Sequence, residues 1–175
     1  MEIRALTCDT YGTLVDWRGS ILDELQALGR SRGIACDWEA FLDDWKSAYR
    51  PGMDKVNRGE WPWTTIDVIY RRRLDEALRA HAIGGLGEVD LEHLNRVWWR
   101  LRPWPDTVAG LTRLRRRYVI SPLSNASFAG MVHWRASLAF RGTASSRRRM
   151  PAATSRRPRC TSPPSSCLVS PPARS

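Results

Sequence analysis

The sequence predicts an α/β protein whose sheet-forming core is interrupted by a helical insertion. Two short apolar segments, at residues 3–8 and 118–123, have the character of β-strands. The residues between them repeat apolar side chains at the spacing of amphipathic helices, and a group of polar residues directly follows each strand. This order of strand, several helices and strand is the basis of the fold prediction.

The first strand is expected over Ile3 to Cys8, ending at Asp9, where a turn containing Gly12 follows. Its apolar composition predicts that it is buried. The second strand, Tyr118 to Leu123, ends at Ser124 and has the same short apolar character.

Five helices are expected between or beside these strands. The first covers Ser20 to Gly29, with Ser20 as its N-cap and Gly29 as its stop. Apolar spacing predicts the other four over residues 38–49, 65–82, 91–101 and 108–117. Two prolines, Pro103 and Pro105, are expected to end the fourth helix.

The net charge of +10 comes almost entirely from one end of the chain. Residues 135–175 contain nine arginines and no Lys, Asp or Glu, whereas residues 1–134 are nearly balanced in charge. This Arg-, Ser- and Pro-rich tail is expected to be disordered. A nucleic-acid-binding protein that uses the tail is one alternative function, but a neutral folded body argues against a basic groove, so we expect no nucleic-acid partner.

The chain shows no apolar run long enough for a membrane helix and no signal peptide, which disfavours membrane spanning and secretion. Its four cysteines are far apart and form no C-x-x-C pair, so a zinc site or disulfide framework is not expected. A cytoplasmic protein with reduced thiols is therefore expected.

The polar groups that follow the two strands are candidates for chemistry, because ligands bind at the carboxyl ends of parallel strands. A carboxylate such as Asp9 can act as a nucleophile, and the turn behind it offers backbone N–H groups. Ser124 and Asn125 can hold a carboxylate or an oxyanion. On these residues alone, an ordinary turn or capping role for Asp9 is the stronger interpretation.

Three motifs resemble the haloacid dehalogenase superfamily, specifically the type II (L-2-haloacid) dehalogenases. They are Cys8 to Leu14 followed by Asp16, Leu101 to Asp106, and Pro122 to Ser127. The resemblance covers residues 3–134 and implies a Rossmann-like core with an inserted helical cap. The implied parts are a first core strand and nucleophile loop at 1–15, a helical cap at 16–101 and a core return at 102–134.

The resemblance also implies an activity, in which (S)-2-haloacids are hydrolysed to (R)-2-hydroxy acids. Asp9 matches the nucleophile, which forms an aspartyl ester, and Thr13 matches the residue that supports its carboxylate. The backbone at Thr10 and Tyr11, together with Ser124 and Asn125, matches the substrate-carboxylate and orienting groups. No cofactor and no metal are implied, and members of the family often form homodimers.

Tyr11 separates this activity from the second enzyme alternative, a small-molecule phosphatase of the same superfamily. Phosphatases resemble D-x-D at this motif, and their second Asp protonates the leaving group. Halide is a weak base and needs no such acid, so Tyr11 favours carbon–halogen chemistry. An alternative role for Tyr11 is packing on the cap.

Lys46 follows Trp45, where the family tends to place an arginine that faces the substrate. Lysine keeps the charge without the planar guanidinium, and Arg50 is a nearby substitute. The alternative for Lys46 is an ordinary solvated position on the helix face. The tryptophans, including Trp98, are expected in the cap core or rim, where they could wall a dry pocket.

The tail has a second interpretation, as a shifted reading frame. Codons rebuilt from the third base of one residue and the first two of the next can encode Pro-Trp-Asp at residues 140–143. In the same frame, residues 153–162 and 168–174 can encode Tyr-Lys-Pro-Thr-Pro-Glu-Val-Tyr-Leu and Gly-Leu-Ala-Pro-Gly-Glu, which resemble the family's continuation. We therefore expect a nucleotide insertion or deletion near codons 131–135, an incomplete core with an exposed sheet edge, and little or no turnover.

Overall fold

The computed structural model of the chain describes residues 3–138. Its elements in chain order are β1 (Ala5–Asp9), β2 (Val15–Asp16), α1 (Trp17–Arg32), α2 (Trp38–Ser47), α3 (Tyr49–Asn57), α4 (Ile66–Ala80), α5 (Glu88–Asn95), a 3-10 helix (Arg96–Trp99), β3 (Arg102–Pro103), α6 (Thr107–Leu114), β4 (Val119–Leu123) and α7 (Phe128–Ser137). The predicted α/β fold with helices inserted between two core strands is confirmed. No helix in the described range is long and apolar enough to cross a bilayer.

β1 and β4 form a two-stranded parallel sheet in which Ala5 pairs with Val119 and Asp9 with Leu123. Because the strands are parallel and in this register, the two polar groups that follow them lie at the same edge of the sheet. The prediction that β1 is buried is wrong for the described residues: Leu6 and Cys8 are half-buried and the other three residues are exposed. Within residues 3–138, β4 is the only strand that pairs with β1, so little apolar surface covers β1.

A second, very short sheet joins the two ends of the helical insertion. Val15 pairs with Pro103 and Asp16 with Arg102, in antiparallel register. The chain therefore leaves the core and returns to it at adjacent points. This pairing lies at the ends of the expected cap, residues 16–101, whose boundaries stay a prediction.

Helix α1 is longer than expected, and both of its predicted end signals are wrong. Its N-cap is Asp16, whose carboxylate accepts from the Gly19 N–H at 2.8 Å. Ser20 lies inside the helix, and its hydroxyl accepts from the Arg102 N–H at 2.9 Å. Gly29 is buried within the helix, which ends before Gly33, a glycine in the left-handed conformation at φ 65°.

The remaining helices follow the predicted order with different limits. The expected helix over 38–49 ends at Ser47, and α3 follows as a separate element that the sequence pattern did not predict. Pro51 lies in the first turn of α3, where its missing N–H leaves no hydrogen bond unmade. The expected helix over 91–101 is divided into α5 and the 3-10 helix.

Helix α7 was also not predicted. Ser127 caps it, accepting from the Gly130 N–H at 3.3 Å. The helix continues to Ser137, past the composition change at Arg135. The remainder of the tail, with the predicted disorder and the shifted reading frame, lies outside the described residues.

The described core is rich in aromatic side chains. Trp45, Trp98, Trp134 and Phe41 are fully buried, together with aliphatic residues of α1, α2 and α4. Their rings contact one another in edge-to-face and stacked pairs, which stabilise the packing beyond the area that they bury. This aromatic core holds the cap helices against the nucleophile loop.

Candidate active site

Asp9 stands at the end of β1, and the turn that follows it fixes its carboxylate. The Thr13 hydroxyl donates to Asp9 Oδ2 at 2.8 Å. Gly12 makes this turn feasible, because its φ of 82° is a conformation that side-chain-bearing residues rarely adopt. The turn is closed by hydrogen bonds from Leu14 N–H to the Thr10 carbonyl at 2.9 Å and from Gly12 N–H to the Val15 carbonyl at 3.0 Å. A nucleophile placed here is already oriented before a ligand binds.

Asp9 opens into a cavity of about 160 Å³ between the sheet edge and the helices. The strand ends contribute Asp9, Tyr11, Ser124 and Asn125, and the helical insertion contributes Lys46, Tyr49, Ile66, Tyr70 and Trp98. This volume is below the roughly 300–1,000 Å³ of sites for drug-sized ligands. The site therefore suits a small molecule that carries a negative charge, since the insertion places a cation opposite the strand ends.

Lys46 is that cation. Its ammonium lies 4.5 Å from the ring centre of Tyr49, 5.6 Å from Trp17 and 6.0 Å from Tyr70. Within residues 3–138 no carboxylate lies within salt-bridge distance of it, and burial lowers the pKa of Lys46 from the usual lysine value. Arg50, the alternative from the sequence, is exposed and does not line the cavity.

Tyr11 lines the cavity and also packs on the helices around it. Its ring contacts Trp98 and Trp134 edge-to-face, at centroid distances of 6.0 and 5.1 Å. Burial raises the pKa of Tyr11, and the nearby Asp67 carboxylate raises it further. Tyr11 is therefore a neutral hydroxyl at physiological pH and supplies no acid comparable to the second Asp of a D-x-D motif.

The polar groups after β4 connect the sheet edge to the helical insertion. The Ser124 hydroxyl accepts from the Ala126 N–H at 3.2 Å, which fixes the loop. The Asn125 amide donates to the Tyr49 hydroxyl at 2.5 Å, so a residue of α3 touches a residue of the core loop across the cavity. Asn125 is thereby positioned by a partner that the sequence pattern did not identify.

Two sequence-predicted site residues, Thr10 and Thr13, do not line the cavity, although Thr13 contacts Asp9, which does. The Thr10 side chain is fully buried, and its hydroxyl has no hydrogen-bond partner among the described residues. The part of Thr10 that the structure places in the turn is its backbone, whose carbonyl accepts two hydrogen bonds. A role for the Thr10 backbone N–H toward a substrate carboxylate stays a prediction.

Four lining residues were not predicted as site residues: Tyr49, Ile66, Tyr70 and Trp98. They occupy apolar positions on helices, where side-chain spacing indicates only that they face the core. The abundance of tryptophan was the available signal, and Trp98 does line a pocket wall. Among the described residues no group of three or more His, Cys, Asp or Glu is arranged to hold a metal ion.

No protein-family model matches the chain, and no curated protein sequence matches it. Solved structures do match. The L-2-haloacid dehalogenase PA0810 aligns with a TM-score of 0.74 at 36% identity, over 79% of this chain and 59% of that chain. The defluorinating L-2-haloacid dehalogenase Rha0230 aligns with a TM-score of 0.74 at 34% identity, over 79% of this chain and 57% of that chain.

A third match shows the fold at lower identity. It is the L-2-haloacid dehalogenase from Xanthobacter autotrophicus with chloropropionic acid covalently bound, with a TM-score of 0.64 and 20% identity, over 81% of this chain and 54% of that chain. The chain therefore spans less than two thirds of the length of these solved chains.

The described residues thus have the haloacid dehalogenase fold, with part of the Rossmann-like core and the inserted helical cap. Within that fold class, the matching solved structures are L-2-haloacid dehalogenases, which are hydrolases that act on carbon–halide bonds. The resemblance that the three sequence motifs indicate is confirmed.

Proposed function

We propose that this chain carries the nucleophile, the substrate-orienting groups and the cap of an enzyme that converts (S)-2-haloacids to (R)-2-hydroxy acids through an ester on Asp9. The observation that carries the proposal is the arrangement of the cavity. The Asp9 carboxylate, held by Thr13, enters it from the sheet, and Lys46, with no carboxylate partner among the described residues, enters it from the cap.

The first step follows from this arrangement. An Asp9 carboxylate oxygen attacks C2 of the haloacid, the carbon–halogen bond breaks, and the halogen leaves with the electron pair as halide. An in-line displacement of this kind inverts C2 and needs no proton, which suits a cavity where Tyr11 is neutral and no second acid is present two residues after Asp9. Ser124 and Asn125 are the groups we assign to the substrate carboxylate.

The second step is hydrolysis of the ester by water, which attacks the Asp9 carbonyl carbon and releases the hydroxy acid. Asp9 is the only carboxylate among the described residues that line the cavity. No other carboxylate there can act as the base that activates the water. We therefore expect the ester to form faster than it breaks down in this chain.

The test is intact-protein mass spectrometry of the 175-residue chain after incubation with (S)-2-chloropropionate. The expected result is a mass increase of one propionate ester, located on the peptide that contains Asp9, with about one halide released per protein molecule. The variant Asp9→Asn should show neither, because an amide is a poor nucleophile. Asp106→Asn is the matched control, since Asp106 is exposed and does not line the cavity.

Unmodified protein and no halide release, in a preparation that is folded by circular dichroism, would contradict the proposal. Magnesium-dependent phosphate release from a phosphoester would instead favour the phosphatase alternative. Salt-dependent binding of nucleic acid that is lost on removal of residues 135–175 would favour the alternative of a nucleic-acid-binding protein.

The proposal includes a small 2-haloacid as the partner, no nucleic-acid partner, a homodimer as the assembly and the cytoplasm as the location. The resemblance to the family supports the homodimer. The spacing of the cysteines supports the cytoplasmic location. Sedimentation of the purified chain would report the dimer directly.

A further inference from the structure

Tyr49 connects the two sides of the cavity that holds Asp9. It is the first residue of α3, in the helical insertion, and its hydroxyl accepts from the Asn125 amide at 2.5 Å. Asn125 belongs to the loop that follows β4. Among the lining residues that the structure describes, this is the one side-chain hydrogen bond that joins the insertion to the strand ends. The contact therefore ties the cap to the core at the site itself.

The orientation of Asn125 depends on this contact. The residue is exposed, and in the described range its side chain makes no other hydrogen bond. An exposed side chain without a partner samples several rotamers, and immobilising it when a ligand binds lowers the affinity. An asparagine amide has two N–H donors, so one can bind Tyr49 while the second remains for a ligand. The Tyr49 hydroxyl thus orients Asn125 before a ligand binds.

The ring of the same tyrosine contacts Lys46. The Lys46 ammonium lies 4.5 Å from the ring centre of Tyr49, nearer than to Tyr70 or Trp17. The face of an aromatic ring attracts a cation, and lysine carries its charge on a flexible stem of four carbons. The ring therefore restricts where the ammonium lies, in a cavity where Lys46 has no carboxylate partner among the described residues.

We propose that Tyr49 is a positioning residue for the anionic substrate, because its hydroxyl orients the Asn125 amide and its ring holds the Lys46 ammonium. One side chain of the cap then sets the spacing of a donor from the core and a cation from the cap. The inference rests on the proposed function for the identity of the substrate. It assigns the hydroxyl an effect through Asn125 and the ring an effect through Lys46.

The direct test is an NMR titration of the full, ¹⁵N-labelled chain with sodium propionate, an unreactive carboxylate without the halogen. The side-chain amide pair of Asn125, assigned by its loss in Asn125→Ala, should move and saturate. The pair of Asn95 should stay in place, because its amide donates to the Asp67 carbonyl at 3.1 Å. In Tyr49→Phe the dissociation constant should rise about three- to ten-fold, the effect of one hydrogen bond.

The matched control is Tyr118→Phe, since Tyr118 is a half-buried tyrosine that does not line the cavity. Its dissociation constant for propionate should change by less than about two-fold. An unchanged affinity in Tyr49→Phe, or an equal loss in both variants, would overturn the inference. The unsubstituted chain should also show an NOE between the Asn125 amide protons and the Tyr49 ring, and its absence would overturn the inference without any substituted protein.

The part assigned to the ring is tested with Tyr49→Leu, which removes the ring as well as the hydroxyl. Propionate should bind about two- to five-fold more weakly to Tyr49→Leu than to Tyr49→Phe, the effect of one cation–π contact. In a Lys46→Met background the two variants should bind propionate equally, because no cation remains for the ring to hold. Equal affinities with Lys46 present would contradict the role of the ring.

Kinetics separate positioning from a loss of folded protein. In Tyr49→Phe the concentration of (S)-2-chloropropionate for half-maximal ester formation should rise by the same three- to ten-fold factor, about as propionate binding weakens. The amount of halide released per protein molecule at saturation should stay the same. A reduced amount with an unchanged half-maximal concentration would indicate a structural role only and would contradict the inference.

The two proposals fail in different ways. A chain that forms no ester, but whose propionate affinity falls in Tyr49→Phe and not in Tyr118→Phe, would refute the proposed reaction and support positioning by Tyr49. A chain that forms the ester with the same half-maximal concentration in Tyr49→Phe as in the unsubstituted protein would refute positioning by Tyr49 and leave the proposed function intact.

Discussion

At the scale of single residues, the protonation of Lys46 sets the alkaline limit of the proposed reaction. Burial lowers the pKa of Lys46, so this ammonium loses its proton at a lower pH than an exposed lysine. Binding of an anionic substrate needs the charged form. Affinity is therefore full below the pKa of Lys46 and is lost as the pH rises through it.

We predict that the substrate concentration for half-maximal ester formation rises steeply at alkaline pH in the unsubstituted chain and stays flat in Lys46→Arg, because a guanidinium remains charged. Lys46→Met should raise it about ten-fold or more at every pH. The measurement is the pH dependence of the halide burst with (S)-2-chloropropionate. Identical alkaline limbs for the unsubstituted chain and Lys46→Arg would show that another group titrates.

Residue by residue, the sequence predicted which polar groups lie at one edge of the sheet better than it predicted the residues around them. Asp9, Ser124 and Asn125 were expected there because each follows a strand in a polar group, and parallel strands bring such groups to one edge, whereas Thr13 was assigned by the resemblance. Their catalytic roles stay a proposal. The Tyr49 hydroxyl that holds Asn125 could not be identified in this way. Its position in an unpredicted helix depends on how the cap folds over the sheet, which periodicity does not report.

At the scale of elements, close packing between helices depends on glycines inside them. Gly29 lies in α1, where an added Cβ would stand 2.7 Å from the Trp38 ring. Gly110 lies in α6, where an added Cβ would meet no atom within 4 Å. The same substitution at these two helical glycines should therefore have opposite effects.

We predict that Gly29→Ala destabilises the protein by about 1–3 kcal/mol through overpacking against Trp38. Gly110→Ala should stabilise it by about 0.5–1 kcal/mol, because alanine loses less conformational entropy in a helix. Urea unfolding followed by circular dichroism measures both. Stabilisation by Gly29→Ala would show that α1 and Trp38 move apart more easily than their packing indicates.

The predicted ends of helix α1 were wrong because serine and glycine occur both at helix ends and at contacts between elements. Ser20 and Gly29 have the composition of a helix cap and a helix stop, but both lie inside α1. Ser20 bonds to the returning strand at Arg102, and Gly29 gives space to Trp38. Both contacts join residues distant in sequence, so tertiary structure overrides the local signal.

At the scale of the whole molecule, the sheet exposes apolar side chains. Val119 is 58% exposed and Leu123 is 64% exposed on β4, and each strand of the two-stranded sheet has one edge unpaired within the described residues. Exposed strand edges promote association between chains, because unpaired backbone groups can pair with a second sheet.

We predict that the purified chain self-associates with rising concentration and that Val119→Lys reduces this association several-fold, since a charge on an edge strand opposes pairing. Val89→Lys is the control, because Val89 is 84% exposed but lies on α5, whose backbone is paired internally. Light scattering against concentration measures the effect. An equal reduction by both substitutions would indicate a general effect of charge.

The two-residue pairing of β2 with β3 has a consequence for how the molecule can be divided. Because Asp16 and Arg102 are register partners, the first and last residues of the intervening segment are neighbours in space. Excising that segment and bridging the gap with a tight turn would join the nucleophile loop to α6 without moving either. Conversely, the excised helices could be inserted into a loop of another protein as one segment, because the two ends of the segment lie next to each other.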